Sequence, residues 1–75
     1  MKHRVRLVLA AALGLPDERI HDDFDRMDSE EWDSLAHVRL TLALEEEFKV
    51  RFDDEELALL NSVETIASLV QSKTF

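Results

Sequence analysis

Glycine and proline occur once each in this chain, two residues apart, at Gly14 and Pro16. A sequence punctuated in one place only reads as a few helices joined by polar connections. Strand signals are absent apart from Val50-Arg51-Phe52, which is too short to pair with anything. Ahead of the break, Val5, Val8, Leu9, Ala12 and Leu13 follow the i, i+3, i+4, i+7, i+8 spacing of one helix face. Gly14 stands where a helix end favours a left-handed residue, and Pro16 prevents continuation. The first helix therefore ends at Leu13.

No period holds from Leu15 to Asp33. That stretch carries nine acids and two bases, Arg19 and Arg26. Leu15, Ile20, Phe24 and Met27 are spaced as apolar anchors able to pin a loop onto a bundle. Connections in compact domains have a median of roughly 4–6 residues, so a loop this long is expected to be functional, and its anchors argue against disorder. A second helix is predicted from Ser34 to Phe48, with Asp33 as N-cap and Trp32 and His37 placed as an aromatic version of the hydrophobic staple. Asp53 and Glu56 form a capping-box pair opening a short third helix before Leu57 and Leu60. A fourth begins after Ser62, where Val63, Ile66, Ala67 and Val70 repeat the one-face spacing, and Lys73 complements the dipole in its last turn. The expected fold is all-α: a single domain over 1–75, a small antiparallel four-helix bundle with three longer helices, a short third one and a long first loop.

Composition narrows the function. Seventeen acids against nine bases leave a net charge of −8, and there is no cysteine. Phosphates of DNA or RNA would be repelled, as would an anionic membrane surface, so neither is expected as a partner. Disulfides, thiolate metal sites and thiol catalysis are excluded. The longest apolar run, Leu7 to Leu13, is far short of the ~20 residues that span a bilayer. Lys2, Arg4 and Arg6 ahead of it faintly resemble a secretory signal, but Gly14-Leu15-Pro16-Asp17 is no small-residue cleavage site. The chain is read as soluble, cytoplasmic and monomeric, with basic protein surfaces as partners. The charge is unevenly placed: residues 1–14 carry three bases and no acid, and nine of the 17 acids lie in the loop leading to Ser34.

Read at ~100° per residue, the second helix carries two apolar rows. Leu40, Leu44 and Phe48, with Thr41 at the margin, are the core row. Leu35, Val38 and Leu42 form another, bordered by Glu45, Glu46 and Lys49. For Val38 a wide buried face is an equal alternative, whereas Leu35 and Leu42 are expected in an exposed contact patch. Glu45 and Glu46 beside them favour a binding role over simple solvation. Glu47 lies nearer the core side, as a local partner for a base.

Trp32-Asp33-Ser34-Leu35, followed by Leu40, Leu44-Glu45-Glu46-Glu47-Phe48 and Val50, resembles an acyl carrier protein. A lone Asp-Ser-Leu is weak. At the head of the second helix of a small acidic bundle it is specific, and the resemblance covers essentially the whole chain. It implies that Ser34 is esterified by 4′-phosphopantetheine, delivered from coenzyme A by a phosphopantetheinyl transferase. An acyl- or aminoacyl-activating enzyme then charges the arm's thiol with a thioester, which a downstream acyltransferase or synthase receives. Asp33 helps the transferase position the serine, Leu35 adjoins the site, and Leu35, Val38, Leu42, Glu45 and Glu46 meet partner enzymes. The chain itself is then not an enzyme. Local physics agrees: a phosphodiester at a helix N-terminus meets unsatisfied N–H groups and the positive end of the dipole. A thiol brought by the cofactor also makes cysteine unnecessary.

Two departures stand out. Trp32 replaces the glycine that many members have before Asp-Ser, and is expected to stiffen the approach to the serine. Where fatty-acid carriers place acids after Ser-Leu, this chain has Ala36, His37 and Arg39. A cation on the exposed side weakens docking to a generic basic patch, which points to a dedicated pathway (polyketide, nonribosomal peptide or specialised lipid) rather than bulk fatty-acid synthesis.

Other classes fit less well. Ser34 and His37 share one helix turn without a glycine-rich elbow, so a hydrolase triad is disfavoured. His3, His21 and His37 lack ligand spacing, and Asp23-Phe24-Asp25 starts like a calcium loop but continues with Met27 and Asp28 where an oxygen ligand and glycine belong. His37 is better read as packing beneath Trp32 or as a polar contact near the arm. An acidic helical adaptor without cofactor is the serious alternative, and only the setting of Ser34 separates the two.

Overall fold

A computed structural model describes residues 1–74, so Phe75, the last residue of the expected 1–75 domain, lies outside the described residues. Four α-helices run in order: α1 Lys2–Leu13, α2 Ser34–Phe48, α3 Asp54–Leu57 and α4 Val63–Lys73. They form an all-helical bundle measuring 29 × 23 × 18 Å. Among the described residues the only strand-like pairing is an isolated bridge between Asp25 and Ser62.

The first helix ends as the sequence requires. Gly14 adopts the left-handed conformation (φ 69°, ψ 31°), and the Leu15 N–H donates back to the Ala10 carbonyl at 3.0 Å. α1 packs most extensively along α2 and also against α4. Val5 and Leu9 of α1, Leu40 and Leu44 of α2, Leu60 and Val63, Ile66 and Val70 of α4 are fully enclosed. No polar or charged residue is buried among those described, so this core rests chiefly on apolar packing. α3 has the predicted reciprocal cap: Asp53 Oδ1 accepts from the Glu56 N–H at 2.8 Å, and Glu56 Oε1 from the Asp53 N–H at 3.0 Å. α4 is capped alike by Ser62 and Thr65.

The end of α2 has no glycine. Lys49 takes the left-handed conformation there (φ 57°, ψ 47°), and the Val50 N–H donates to the Glu45 carbonyl at 3.2 Å. Val50 and Phe52 then lean on the core instead of forming a strand.

The long first loop is ordered around its anchors. Ile20, Phe24 and Trp32 are buried and Leu15 packs against the core. Two single-turn 3-10 segments, Asp17–Arg19 and Arg26–Asp28, divide the loop. It is tied to the turn before α4 by two backbone hydrogen bonds, Arg26 N–H to the Asn61 carbonyl at 2.8 Å and Val63 N–H to the Phe24 carbonyl at 3.0 Å. One anchor is corrected: Met27 is 91% exposed. It sits inside the second 3-10 turn, whose cap is Asp25, and that tight turn directs its side chain outward while Phe24 fills the core.

Candidate functional site: the N-terminus and outer face of α2

α2 begins where Asp33, in extended conformation, turns its carboxylate onto the helix and accepts the Ala36 N–H at 2.9 Å. Ser34 is the first helical residue and is exposed, and its hydroxyl makes no hydrogen bond to any described residue. The first N–H groups of a helix lack intrahelical acceptors, and here the side-chain cap takes up only that of Ala36. The hydroxyl thus stands free at the positive end of a 15-residue helix. A phosphoryl group carried on it meets the donors and field that suit an anion. The residues present therefore fit a phosphodiester at Ser34.

Behind the serine, Trp32 is buried in a rigid stack. Its ring lies nearly parallel to that of Phe24, centroids 6.2 Å apart, and it also stacks on His37 at 6.2 Å. The indole N–H donates to His37 Nδ1 at 3.0 Å. Because an indole nitrogen only donates, Nδ1 is unprotonated, and Nε2 carries the hydrogen that reaches the Leu57 carbonyl, also at 3.0 Å. The expected staple between Trp32 and His37 is thus a hydrogen-bonded relay that ties the approach to Ser34 to the end of α3. The sequence pointed to the Trp32–His37 contact but carried no signal for Leu57.

Down the helix, Leu35, Val38 and Leu42 are 60%, 56% and 61% exposed. Val38 therefore belongs to the outer patch and not to a widened core. Ala36 lies on the opposite side, buried beside Leu40 and Leu44. Beside the patch, His37, Val38, Thr41, Leu42 and Leu57 line an apolar crease of about 130 Å³ between α2 and α3. Glu46 is exposed next to Leu42. Glu45 is placed differently from the sequence reading. It is half-buried, and its carboxylate accepts the Phe52 N–H at 2.9 Å, holding the chain after α2. Phe52 is seven residues away, beyond the turn, so the sequence pattern carried no sign of this bond. Glu47 pairs with a base as expected: Arg4 Nη2 lies 2.9 Å from its carboxylate, with the guanidinium 4.6 Å over the Phe48 ring.

A bundle with an exposed serine heading one helix and an apolar, partly charged face below it offers an attachment point for a group and an open surface beside it. Comparisons with known proteins agree. The family described as "Phosphopantetheine attachment site" matches residues 3–71. The chain is 33% identical over 73 residues to the acyl carrier protein of Buchnera aphidicola subsp. Acyrthosiphon pisum (strain 5A), covering 97% of this chain and 91% of that one. It is 31% identical over 75 residues to the acyl carrier protein of Buchnera aphidicola subsp. Baizongia pistaciae (strain Bp), covering 100% and 96%. This chain belongs to the acyl carrier protein family, and its prosthetic group is 4′-phosphopantetheine.

Proposed function

We propose that the chain is a single-domain carrier whose arm is attached at Ser34, and that it serves a dedicated biosynthetic pathway: polyketide, nonribosomal peptide or specialised lipid. The attachment point rests on one observation, the exposed Ser34 at the capped start of α2, with no hydrogen bond to its hydroxyl among the described residues. When bound, 4′-phosphopantetheine supplies a terminal thiol for acyl or aminoacyl thioesters, which the cysteine-free chain does not have. The protein's own residues do the rest. Asp33 caps the first turn and helps the transferase position the serine, Trp32 and His37 brace the approach to it, and Leu35, Val38, Leu42 and Glu46 offer a contact face. In this reading the chain carries and does not catalyse, as a cytoplasmic monomer. A phosphopantetheinyl transferase modifies it, an acyl- or aminoacyl-activating enzyme charges it, and an acyltransferase or synthase unloads it. The dedicated pathway is supported by exposed Arg39 on the contact face, which opposes docking to a basic patch.

Coexpression with a promiscuous phosphopantetheinyl transferase followed by intact-mass measurement is the test. The expected result is a gain of one arm by the wild type and none by Ser34→Ala. An unmodified wild type, which an adaptor without cofactor would give, sinks the attachment proposal, and so does a gain that survives Ser34→Ala. Charging the holo form with a panel of activating enzymes then tests the pathway, and loading by fatty-acid enzymes alone would refute the dedicated role.

A further inference from the structure

Arg39 is conspicuous in so acidic a chain. Of the nine lysines and arginines, Lys2, Arg4, Arg6, Arg19 and Lys73 pair with Glu64, Glu47, Asp22, Glu31 and Glu56 in turn. Arg26 donates to the Trp32 carbonyl. Only Arg39, Lys49 and Arg51 lack such a partner among the described residues. Lys49 and Arg51 flank the turn after α2, whereas Arg39 stands within the helix, on its outer face.

The isolation of Arg39 follows from its neighbours. The positions one helical turn away, which hold its potential intrahelical partners, are Leu35, Ala36, Leu42 and Ala43. None is acidic, and Glu46 is two turns on. Leu35, Arg39, Leu42 and Glu46 follow the spacing i, i+4, i+7, i+11, one straight stripe about 16 Å long. The stripe thus presents a guanidinium between two exposed leucines, with a carboxylate at its far end. Covering those leucines also covers Arg39, and a buried guanidinium left unpaired is strongly destabilising. Arginine set among apolar contacts and met by a planar carboxylate is, by contrast, a favourable interface anchor.

For the α2 contact face of the carrier reading, we infer that the partner surface places an aspartate or glutamate opposite Arg39. This rests on the carrier reading and specifies the partner chemistry that goes with it. Arg39 is then a specificity residue: it admits partners with an acid at that point and repels those with a base there.

The test uses holo protein whose arm has already been verified by mass, so failure of the carrier reading shows before any docking is measured. Two probe enzymes are used: a bacterial malonyl transacylase with a basic docking surface, and the same enzyme with the base nearest position 39 replaced by glutamate. Acyl loading is followed as kcat/KM for wild type, Arg39→Glu and Arg39→Gln, with circular dichroism confirming that all three fold. Arg39→Glu is expected to load at least tenfold better than wild type on the basic enzyme and at least tenfold worse on the altered one, with Arg39→Gln between them on both. Equal rates for the three proteins on both enzymes, measurable or not, overturn the inference, as does a parallel loss on both. Sedimentation equilibrium provides an independent check: a wild-type dimer abolished by Arg39→Glu would assign the face to a second copy and overturn the acidic-partner assignment.

Discussion

His37 shows how much one side chain can hold together. It accepts from the Trp32 indole on one side and donates to the Leu57 carbonyl on the other, so it joins the loop before Ser34 to the end of α3. Removing it strands an indole N–H on a buried ring and leaves the Leu57 carbonyl with only the longer bond from the Leu60 N–H, at 3.3 Å. A buried group left without its partner costs about 1–3 kcal/mol. His37→Ala is therefore expected to lower unfolding free energy by ~2 kcal/mol or more in urea titration. Faster amide exchange at residues 57–60 than in wild type is the local sign. The Trp32–His37 contact was legible in the sequence because N′ and N4 of a capped helix are near neighbours. The third member was not, because Leu57 is brought in by the chain reversal after α2.

At the scale of elements, the capping patterns were the most readable feature. Asp33 and Asp53 cap as their spacing predicts, since a cap joins groups within a single turn, and Ser62 caps α4 at the boundary expected after it. The sequence placed the end of α2 at Phe48, as observed, but not the way it ends, because a lysine occupies the left-handed position. For a residue with a Cβ that conformation costs roughly 1–2 kcal/mol. Lys49→Gly relieves it, partly offset by the greater freedom of glycine in the unfolded chain, and is expected to raise stability by ~0.5–1 kcal/mol in denaturant titration. A second expectation concerns acid. The hydrogen bond from Lys73, followed by that from the Asp53 N–H, holds the Glu56 carboxyl below its ordinary value of 4.5. A carboxyl depressed in the folded state contributes stability that is fully present above the unfolded value and lost as pH falls through the folded one. Glu56→Gln is thus expected to flatten the fall in stability below about pH 4.5 while lowering stability at neutral pH, as followed by thermal melts across pH 3–7.

For the molecule as a whole, the long loop is part of the core and not an appendage to it. Phe24 and Ile20 are buried among the helices, and Phe24 stacks on Trp32, directly behind the serine. Typical stabilities of about 0.05–0.15 kcal/mol per residue leave a 75-residue chain little reserve. Truncating a buried phenylalanine costs ~3–5 kcal/mol. Phe24→Ala is expected to unfold a large fraction of the protein at 37 °C, by near-UV circular dichroism, with phosphopantetheine loading slowed in proportion to the folded fraction. Near-wild-type melting would mean that the loop contributes little to the core. The exposure of Met27 belongs to this scale as well. In sequence it is as good an anchor as Phe24, and only the path of the turn separates them.

What the sequence determined by itself is what local physics decides: four helices, their caps, the glycine stop after α1, and a serine at the head of α2. Those features depend on contacts within a turn or two of the chain, where spacing is a reliable guide to distance. The tertiary structure decided which candidates face outward and which are spent on the fold. It exposed Val38, turned Met27 to solvent, committed Glu45 to the Phe52 N–H and left Arg39 alone between two leucines. Apart from the local turn at Met27 and the helical neighbours of Arg39, these outcomes depend on where a distant segment comes to rest, and residues far apart in the chain are brought together only when the core closes.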